Sequence, residues 1–307
     1  MSILVVGSVA LDTVQTPFGK VTEALGGSAT YFAMAASLFA PVNMVAVVGR
    51  DFPKEHLQYL RSRPIDLSGL QMAPGHTFRW AGVYDYDLNT THTLETRLNV
   101  FADFHPQLTP GYEETPFVFL ANIDPDLQRE VLERIKSPKV TMMDTMDFWI
   151  GRKREALEHT IRGVDIVTMN EAELRMFAGT NSVVAAARQV LRLGPKALIV
   201  KKGEYGAVLF TDSLYFVTPA YPLEEVKDPT GAGDSFAGGF MGYLAARGEF
   251  SPESIKQAMV HGSVIASFTV EEFSVRRLAT VTWEEIASRY REFQEFTYFA
   301  GHPGPGG

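Results

Sequence analysis

The residues best suited to chemistry lie in the segment DPTGAGD at positions 228–234. Its small residues allow backbone N–H groups to converge on an anion, and Gly231 and Gly233 let the backbone approach a ligand without a Cβ in the way. A helix is expected from Ser235 onward, and its N-terminus adds partial positive charge at the same point. Asp234 would repel a resting phosphate, so its most useful role is to take a proton from an attacking hydroxyl. The segment predicts phosphoryl transfer to an alcohol.

A structural alternative stands beside this hypothesis, because many glycine-rich turns before helices only allow close packing. Here an Asp-Pro-Thr lead, two glycines and a closing Asp occur together. The pair Gly238-Gly239 then follows, although each glycine inside a helix costs about 1 kcal/mol. No Lys follows the glycines, so the pattern is not the phosphate loop GxxxxGK[ST]. We favour an anion-binding site.

The longer segment DPTGAGDSFAGGF, at 228–240, resembles the C-terminal signature of the ribokinase-like (PfkB) carbohydrate kinases. Further matches extend from Gly7 to about Phe273. The resemblance implies an α/β fold with a doubly wound, mostly parallel sheet flanked by helices and a small β-sheet lid. It also implies that the protein uses ATP and Mg²⁺ to phosphorylate a hydroxyl, the primary CH₂OH being favoured, of a sugar or sugar-like molecule.

The same resemblance assigns roles to the glycine segment. Asp234 would be the general base, and the transferring phosphoryl group would be held by backbone amides of Gly231, Ala232, Gly233 and Asp234. Some relatives use a monovalent cation such as K⁺ to order this loop, and Asp228 and Thr230 are the candidates for that role here.

Two segments near the N-terminus are candidates for binding the acceptor. Asp12 lies just beyond the first predicted strand, where open α/β sheets place ligands, and it is similar to the last residue of the family's substrate-binding GxxxxD. Its carboxylate can accept hydrogen bonds from two adjacent hydroxyls, although an Asp at this point can also serve a turn.

The second segment contains Gly26 and Gly27 and resembles the family's first signature. Many relatives carry a substrate-binding Asn shortly after the glycines, whereas Ser28, Thr30 and Tyr31 occupy that neighbourhood here. The acceptor is therefore left open. Ser28 or Thr30 would either contact the substrate or cap the following helix.

Carboxylates follow two further predicted strands. Asn170 and Glu173 resemble the family's NxxE motif, which implies that Glu173 holds Mg²⁺ through water, in keeping with the oxygen ligands of that ion. The same two residues fit a helix-capping box, and both roles can hold together. Asp144 could reach the substrate or the water shell of the metal, or only solvate a strand end.

A nucleotide-binding edge is implied by Lys201, Lys202, Gly203 and Gly206. Gly203 and Gly206 would form a turn under the nucleotide, and either lysine could approach the ATP phosphates or simply lie exposed at a strand end. His261 begins a run of small residues that matches in position the adenine wall of relatives. It is expected to line that pocket or to be a satisfied core residue.

Composition excludes several classes of protein. The 307 residues are 46% hydrophobic and 21% charged, and 28 basic against 36 acidic residues give a net charge of −8. Because no basic cluster is interleaved with aromatics, no nucleic acid partner is expected. No segment approaches the roughly 20 apolar residues of a membrane span, and no leader is evident, so we expect a cytoplasmic protein without membrane contact. The absence of cysteine excludes disulfides and thiolate chemistry.

The elements that must position these residues follow from the pattern of apolar runs. Buried parallel strands are predicted at 3–6, 44–48, 117–120, 140–143, 165–168 and 197–201. Helical patterns alternate with them at 30–40, 152–162, 172–178 and 183–193, and three more follow at 235–247, 252–270 and 282–296. The alternation predicts a doubly wound α/β fold.

One region, residues 77–101, breaks this rhythm with many strand formers and a turn near 87–89, which predicts an antiparallel ribbon. By the resemblance, this ribbon and residues 11–21 form the lid of a single kinase domain spanning 1–300. Exposed lid edges would allow a homodimer. Residues 301–307, rich in Gly and Pro, are expected to form a flexible tail.

Three alternatives for the acceptor and the activity stay open. A nucleoside kinase is the second interpretation, because four aromatic residues could stack on a base: Phe78, Trp80, Phe101 and Trp149. A phosphosugar would need cations, for which Arg79 and Arg97 are candidates. The last alternative is a non-catalytic sugar or nucleotide sensor on the same scaffold.

Overall fold

A nine-stranded, mostly parallel sheet forms the centre of the computed structural model, which describes residues 1–299. This part of the chain contains thirteen strands: β1 (Ile3–Val6), β2 (Ala10–Thr16), β3 (Gly19–Gly26), β4 (Val42–Gly49), β5 (Ile65–Ala73), β6 (Phe78–Tyr84), β7 (Thr91–Arg97), β8 (Phe117–Leu120), β9 (Val140–Asp144), β10 (Ile166–Asn170), β11 (Ala197–Lys201), β12 (Ala207–Phe210) and β13 (Tyr215–Thr218).

The strand order of the large sheet is β13-β12-β11-β10-β9-β8-β1-β4-β5. All neighbours from β11 to β5 pair in parallel, while β12 and β13 add an antiparallel edge. The central strands are apolar on both faces because helices cover both, as a doubly wound sheet requires. The predicted fold class is confirmed, and each predicted strand corresponds to an observed one.

Helices flank this sheet: α1 (Ser28–Ala36), α2 (Lys54–Arg61), α3 (Pro125–Arg134), α4 (Asp147–Arg152), α5 (Arg154–Arg162), α6 (Glu171–Ala178), α7 (Val183–Leu191), α8 (Ala232–Arg247), α9 (Pro252–Thr269) and α10 (Trp283–Thr297). The helix predicted at 152–162 is interrupted at Lys153, which leaves the helical conformation with ψ near 41°. Helices α2, α3 and α4 and strands β5 and β13 were not predicted.

Helix α8 packs very closely between α1 and α9. A Cβ on Gly238 would lie 2.5 Å from the carbonyl oxygen of Phe32 in α1, and one on Gly239 would lie 2.9 Å from the carbonyl oxygen of His261 in α9. The paired glycines therefore have a packing function. They let α8 approach its neighbours closely. The closeness of this packing determines where the N-terminus of α8 lies relative to the edge of the sheet.

A separate four-stranded sheet, in the order β3-β2-β6-β7, forms the predicted lid. It uses residues 10–26 and 78–97, slightly more of the first segment and less of the second than expected. The hairpin turn lies between β6 and β7 as predicted, and it includes the hydrogen bond from Leu88 N to Asp85 O. Every residue of β7 is exposed, so β7 is an open sheet edge, and a homodimer through it stays a prediction.

Among residues 1–299, no helix combines the length and apolar character that a membrane crossing would need. The tail predicted at 301–307 lies outside the described residues.

The packing of α8 makes a prediction about stability. Gly238→Ala should lower the free energy of unfolding by about 1–3 kcal/mol, because the new methyl group overlaps Phe32 O and the Ala35 side chain. Urea denaturation measures the change. Gly163→Ala is the control: its φ is −95° and its Cβ would have no neighbour nearer than 3.4 Å, so stability should hold or rise slightly. Equal effects of the two substitutions would contradict the role given to Gly238.

Candidate active site

The glycine turn lies at the N-terminus of α8. Gly231 is the N-cap in a left-handed conformation, with φ of 76°, and its carbonyl accepts from the Ser235 amide at 2.8 Å. The Ala232 amide donates to Pro229 O at 3.1 Å, which corrects its predicted role in holding a phosphoryl group. The amides of Gly231, Gly233 and Asp234 have no backbone acceptor in residues 1–299. These three amides are the ones available to an anion.

Asp228 and Thr230 hold the turn in place. Asp228 is 1% exposed, and its carboxylate accepts from the Thr230 amide at 2.9 Å and from the Ser274 amide at 3.5 Å. The Thr230 hydroxyl is hydrogen-bonded to the Tyr84 hydroxyl of the lid strand β6 at 3.1 Å. The lid and the glycine turn are therefore directly linked.

Asp234 is partly buried in the first turn of α8. Burial raises the pKa of its carboxyl to about 8, with Asp144 and Asp12 adding to the rise and Lys201 opposing it. A carboxylate with a pKa near the working pH can both accept a proton and release it, which suits a general base.

Lys201 and Asp144 form a buried ion pair beside the turn. The Lys201 Nζ lies 2.7 Å from Asp144 Oδ2, and Asp144 is only 4% exposed. The same ammonium group is close to Gly233, since a Cβ there would lie 3.2 Å from it. Lys202 is different, because its Nζ is 3.1 Å from Glu171 Oε2 on α6. Of the two lysines considered, only Lys201 adjoins the turn.

Asn170 and Glu173 form the capping box that the sequence allowed. The Glu173 amide donates to Asn170 Oδ1 at 2.8 Å, and the Asn170 amide donates to Glu173 Oε2 at 2.7 Å. Burial raises the pKa of Glu173 to about 7, with Lys201 lowering it and Asp144 raising it, so the carboxylate shares their electrostatic environment. In the described chain, no cluster of three or more His, Asp or Glu side chains could hold a metal by itself.

Asp12 and the glycine pair meet at the other side of the site. The Asp12 carboxylate covers Gly26 so closely that a Cβ there would lie 1.9 Å from Oδ2. Gly27 has a φ of 94°, and a Cβ there would lie 2.5 Å from Ser8 O. Burial raises the pKa of Asp12 to about 7, the Gly27 amide lowers it, and Asp228 raises it again. Gly26 is thus required by the position of Asp12, and Gly27 by its positive φ and by the approach of Ser8 O.

Neither Ser28 nor Thr30 caps α1. Gly27 is the N-cap and supplies no side chain, and the first amide of the helix, that of Ser28, donates instead to the Ser8 hydroxyl at 3.0 Å. The Ser28 hydroxyl instead lies 3.0 Å from the Ser8 hydroxyl, while the Thr30 hydroxyl is fully enclosed and has no partner among the described residues. The capping alternative is wrong for both residues, and substrate contact by either one stays a prediction.

The predicted nucleotide turn is present and touches the lid. Gly203–Tyr205 form a short 3₁₀ helix, and Gly206 has a φ of 88° and packs on residues 218–220. Asn89, at the tip of the lid hairpin, donates to Glu204 Oε1 at 3.2 Å. Behind Gly206 lies a cleft of about 260 Å³ whose lining includes Thr218, Pro219, Val260 and Tyr290.

His261 does not join these residues. Its ring is stacked between Tyr243 and Tyr290, at centroid distances of 4.3 and 4.6 Å, and burial lowers its pKa to about 4. This placement corrects the expectation of an ATP contact and agrees in part with the alternative of a satisfied core residue: the ring lies in the core, but its Nδ1 has no hydrogen-bond partner among residues 1–299.

Three site residues were missed or left undecided by sequence reasoning. Tyr31 and Tyr84 contact the glycine turn, but neither residue belongs to a recognisable sequence motif. For Asp144 the sequence left open a contact with the substrate, a contact with the water shell of the metal, or simple solvation of a strand end, and it did not predict the ion pair with Lys201. The one available signal was the position of Tyr31, which stands near the place where relatives carry an Asn.

Comparison with known proteins gives a consistent result. The model of the pfkB family carbohydrate kinases matches residues 2–281. A cytidine kinase of Thermococcus kodakarensis is 34% identical over 253 residues, which cover 80% of this chain and 90% of that enzyme.

Two solved structures show the same fold. A nucleoside kinase of Methanocaldococcus jannaschii has a TM-score of 0.75 at 23% identity and covers 95% of this chain and 98% of its own. A fructokinase of Vibrio cholerae, solved with fructose, ADP and a calcium ion, has a TM-score of 0.78 at 18% identity and covers 94% of this chain and 98% of its own.

The raised pKa of Asp234 predicts that the substitution Asp234→Asn stabilises the protein, and that it does so more at high pH than at low pH. The folded pKa of Asp234, about 8, lies above the unfolded value of about 3.9. The folded protein therefore loses stability as the pH rises through that range, and a neutral side chain avoids the loss. The rise in Tm should be larger near pH 8.5 than near pH 5.5 by calorimetry. Asp212→Asn, in an exposed loop, should show no such trend. A gain that is independent of pH would contradict the raised pKa.

Proposed function

The chain belongs to the pfkB family of carbohydrate kinases, and on that premise we propose that it transfers the γ-phosphoryl group of ATP to a primary hydroxyl of a sugar or sugar-containing molecule. It is a phosphotransferase with an alcohol acceptor. The observation that carries the proposal is the position of Asp234, in the same helical turn as free amides and beside the Lys201 ammonium.

On the acceptor side, Asp12 binds hydroxyls of the substrate and Asp234 takes the proton of the attacking hydroxyl. The raised pKa of each carboxyl means that both are poised to exchange protons near neutral pH. Deprotonation by Asp234 increases the negative charge on the attacking oxygen at the point where it meets the phosphoryl group. The Gly26-Gly27 turn leaves room for the Asp12 carboxylate against its backbone and so determines where that carboxylate lies.

On the donor side, the protein supplies charge compensation more than covalent chemistry. The amides of Gly231, Gly233 and Asp234 and the ammonium of Lys201 face the transferring phosphoryl group, and Lys201 exchanges part of its pairing with Asp144 for that group. Mg²⁺, when bound with ATP, would offset further phosphate charge, with Glu173 positioned to hold it through water. Asp228 and Thr230 remain our candidates for ordering the loop with K⁺.

We propose that the nucleotide binds at the turn Gly203–Gly206 and that the lid spans the site from this turn to the glycine turn. Gly203 and Gly206 form the turn under ATP, and we place adenine in the 260 Å³ cleft behind Gly206. The contacts Tyr84–Thr230 and Asn89–Glu204 hold the lid across the site. A closed lid excludes water, which suppresses the hydrolysis of ATP.

A nucleoside is the second candidate acceptor, and Trp80 favours it. Its indole lies flat along β6 over Gly82, where a Cβ would be only 2.4 Å from the ring. Trp80 is also the register neighbour of Asp12, so the two side chains share a face of the lid. A sugar held by Asp12 could therefore extend a base toward the indole. Phe78 and Phe101 instead stack on each other, at 5.4 Å.

A phosphosugar is disfavoured, because neither cation considered for it is free. Arg79 is paired with Glu23 at 2.7 Å and with Asp51 at 2.8 Å, and Arg97 is paired with Glu95 at 2.7 Å. The remaining alternative, a non-catalytic sensor, would not need the assembled base and anion site.

The first test of the proposed function is substitution of the base. Asp234→Asn should lower kcat by several orders of magnitude and leave the protein folded, because the amide cannot accept the proton. ATP consumption is measured with D-ribose, D-fructose, cytidine and adenosine, and the preferred probe identifies the acceptor class. Asp212→Asn is the matched control and should turn over normally. Near-normal turnover by Asp234→Asn would refute the assigned base.

The second test concerns the pH dependence of the rate. Lys201 lowers the pKa of Asp234, so Lys201→Met should raise that pKa and move the acidic limb of the kcat/KM profile to higher pH. The KM for ATP should also increase, because a phosphate contact is lost. Lys202→Met, which breaks only the pair with Glu171, should leave the limb in place. A limb that stays in place or moves to lower pH in Lys201→Met would contradict the account.

A further inference from the structure

Tyr31 lies directly beneath the catalytic turn, although it is 200 residues away from Gly231 in sequence. A Cβ built on Gly231 would lie 2.3 Å from both Cγ and Cδ1 of the Tyr31 ring and 2.4 Å from Cδ2. Similar distances to three ring atoms mean that the backbone of the turn rests on the face of the ring. Tyr31 is 2% exposed and is held by α1, so the ring is a rigid support.

The hydroxyl of Tyr31 is available for a ligand. It has no hydrogen-bond partner in residues 1–299, yet it is not among the enclosed polar atoms, a set that includes Thr30 Oγ1 and Ser235 Oγ. The small exposed remainder of this residue therefore includes the hydroxyl. Burial raises the pKa of this phenol, and the charges of Asp12, Asp228 and Asp234 add to the rise, which places Tyr31 among the acceptor-binding and catalytic carboxylates. A buried phenol with a free O–H donates well to a hydroxyl oxygen.

We propose that Tyr31 is both a positioning residue and a specificity-determining residue of this kinase: its ring sets the height of the turn at Gly231, and its hydroxyl donates to a hydroxyl oxygen of the acceptor. Only the second part of the inference, the contact between the Tyr31 hydroxyl and the acceptor, rests on the proposed function. It gives the acceptor a second polar contact in addition to Asp12, and that contact requires a hydroxyl-bearing substrate.

The positioning role is tested without turnover, by a double-mutant cycle in Tm. Gly231→Ala should lower Tm in the wild-type background, and the loss should be at least halved in a Tyr31→Ala background, because the ring that the new methyl group meets is gone. Strain from a non-glycine residue at a φ of 76° is common to both backgrounds and cancels. Equal losses would overturn the positioning role. Tyr31→Leu replaces Tyr31→Ala if the latter does not fold.

The specificity role is tested by Tyr31→Phe, which keeps the ring. With D-ribose, D-fructose, cytidine or adenosine, whichever the wild type phosphorylates, the acceptor KM should rise about tenfold while kcat and the KM for ATP stay within about twofold. An unchanged acceptor KM would overturn this role. Tyr59→Phe, which removes a buried and unpartnered hydroxyl from α2, should change nothing. If the wild type phosphorylates none of the probes, the proposed function fails, and the Tm cycle still decides the positioning role.

Discussion

The candidate site depends on one ammonium group, that of Lys201, which interacts electrostatically with several carboxylates. Lys201 is paired with Asp144, and its charge also lowers the pKa of Asp234 and of Glu173. Because the carboxyls of Asp234 and Glu173 are poorly hydrated and lie near the charge of Asp144, their protonated forms are favoured. The result is an aspartate, Asp234, whose pKa is raised to about 8 beside an ammonium group, and we propose these two as the general base and the phosphoryl-binding cation. Such a cluster costs stability, so the scaffold must impose it.

The scaffold imposes it through the geometry of a parallel sheet. The strands β9, β10 and β11 all end at the same edge, which brings together Asp144, Asn170 and Lys201. Helix α8 delivers Asp234 to that edge at a height fixed by close packing on α1 and α9. The lid reaches the site from the other side, where Tyr84 contacts Thr230 in the glycine turn and Asn89 contacts Glu204.

Much of this was predictable from local patterns. Buried apolar runs predict parallel strands, and the glycine segment predicts an anion site, because both depend on neighbouring residues. The choice between Lys201 and Lys202 was not predictable, since the strand ends between them and the sequence pattern does not say which of the two side chains points to the site. Tyr31 was missed because its contact with Gly231 joins distant segments. His261 was misplaced because a polar residue among small ones suits either a pocket or an aromatic stack. The antiparallel edge strand β13 follows β12 with no helix between them, and so it breaks the alternation that revealed the parallel strands.

The central claim is that Asp234 titrates near neutral pH beside Lys201, and carbon NMR of protein labelled at its aspartate carboxyls tests it most directly. The resonance that disappears in Asp234→Asn identifies the group. The account predicts that this resonance titrates with a midpoint near pH 8 in the free protein. A midpoint near 4, the value of an ordinary aspartate, would contradict it.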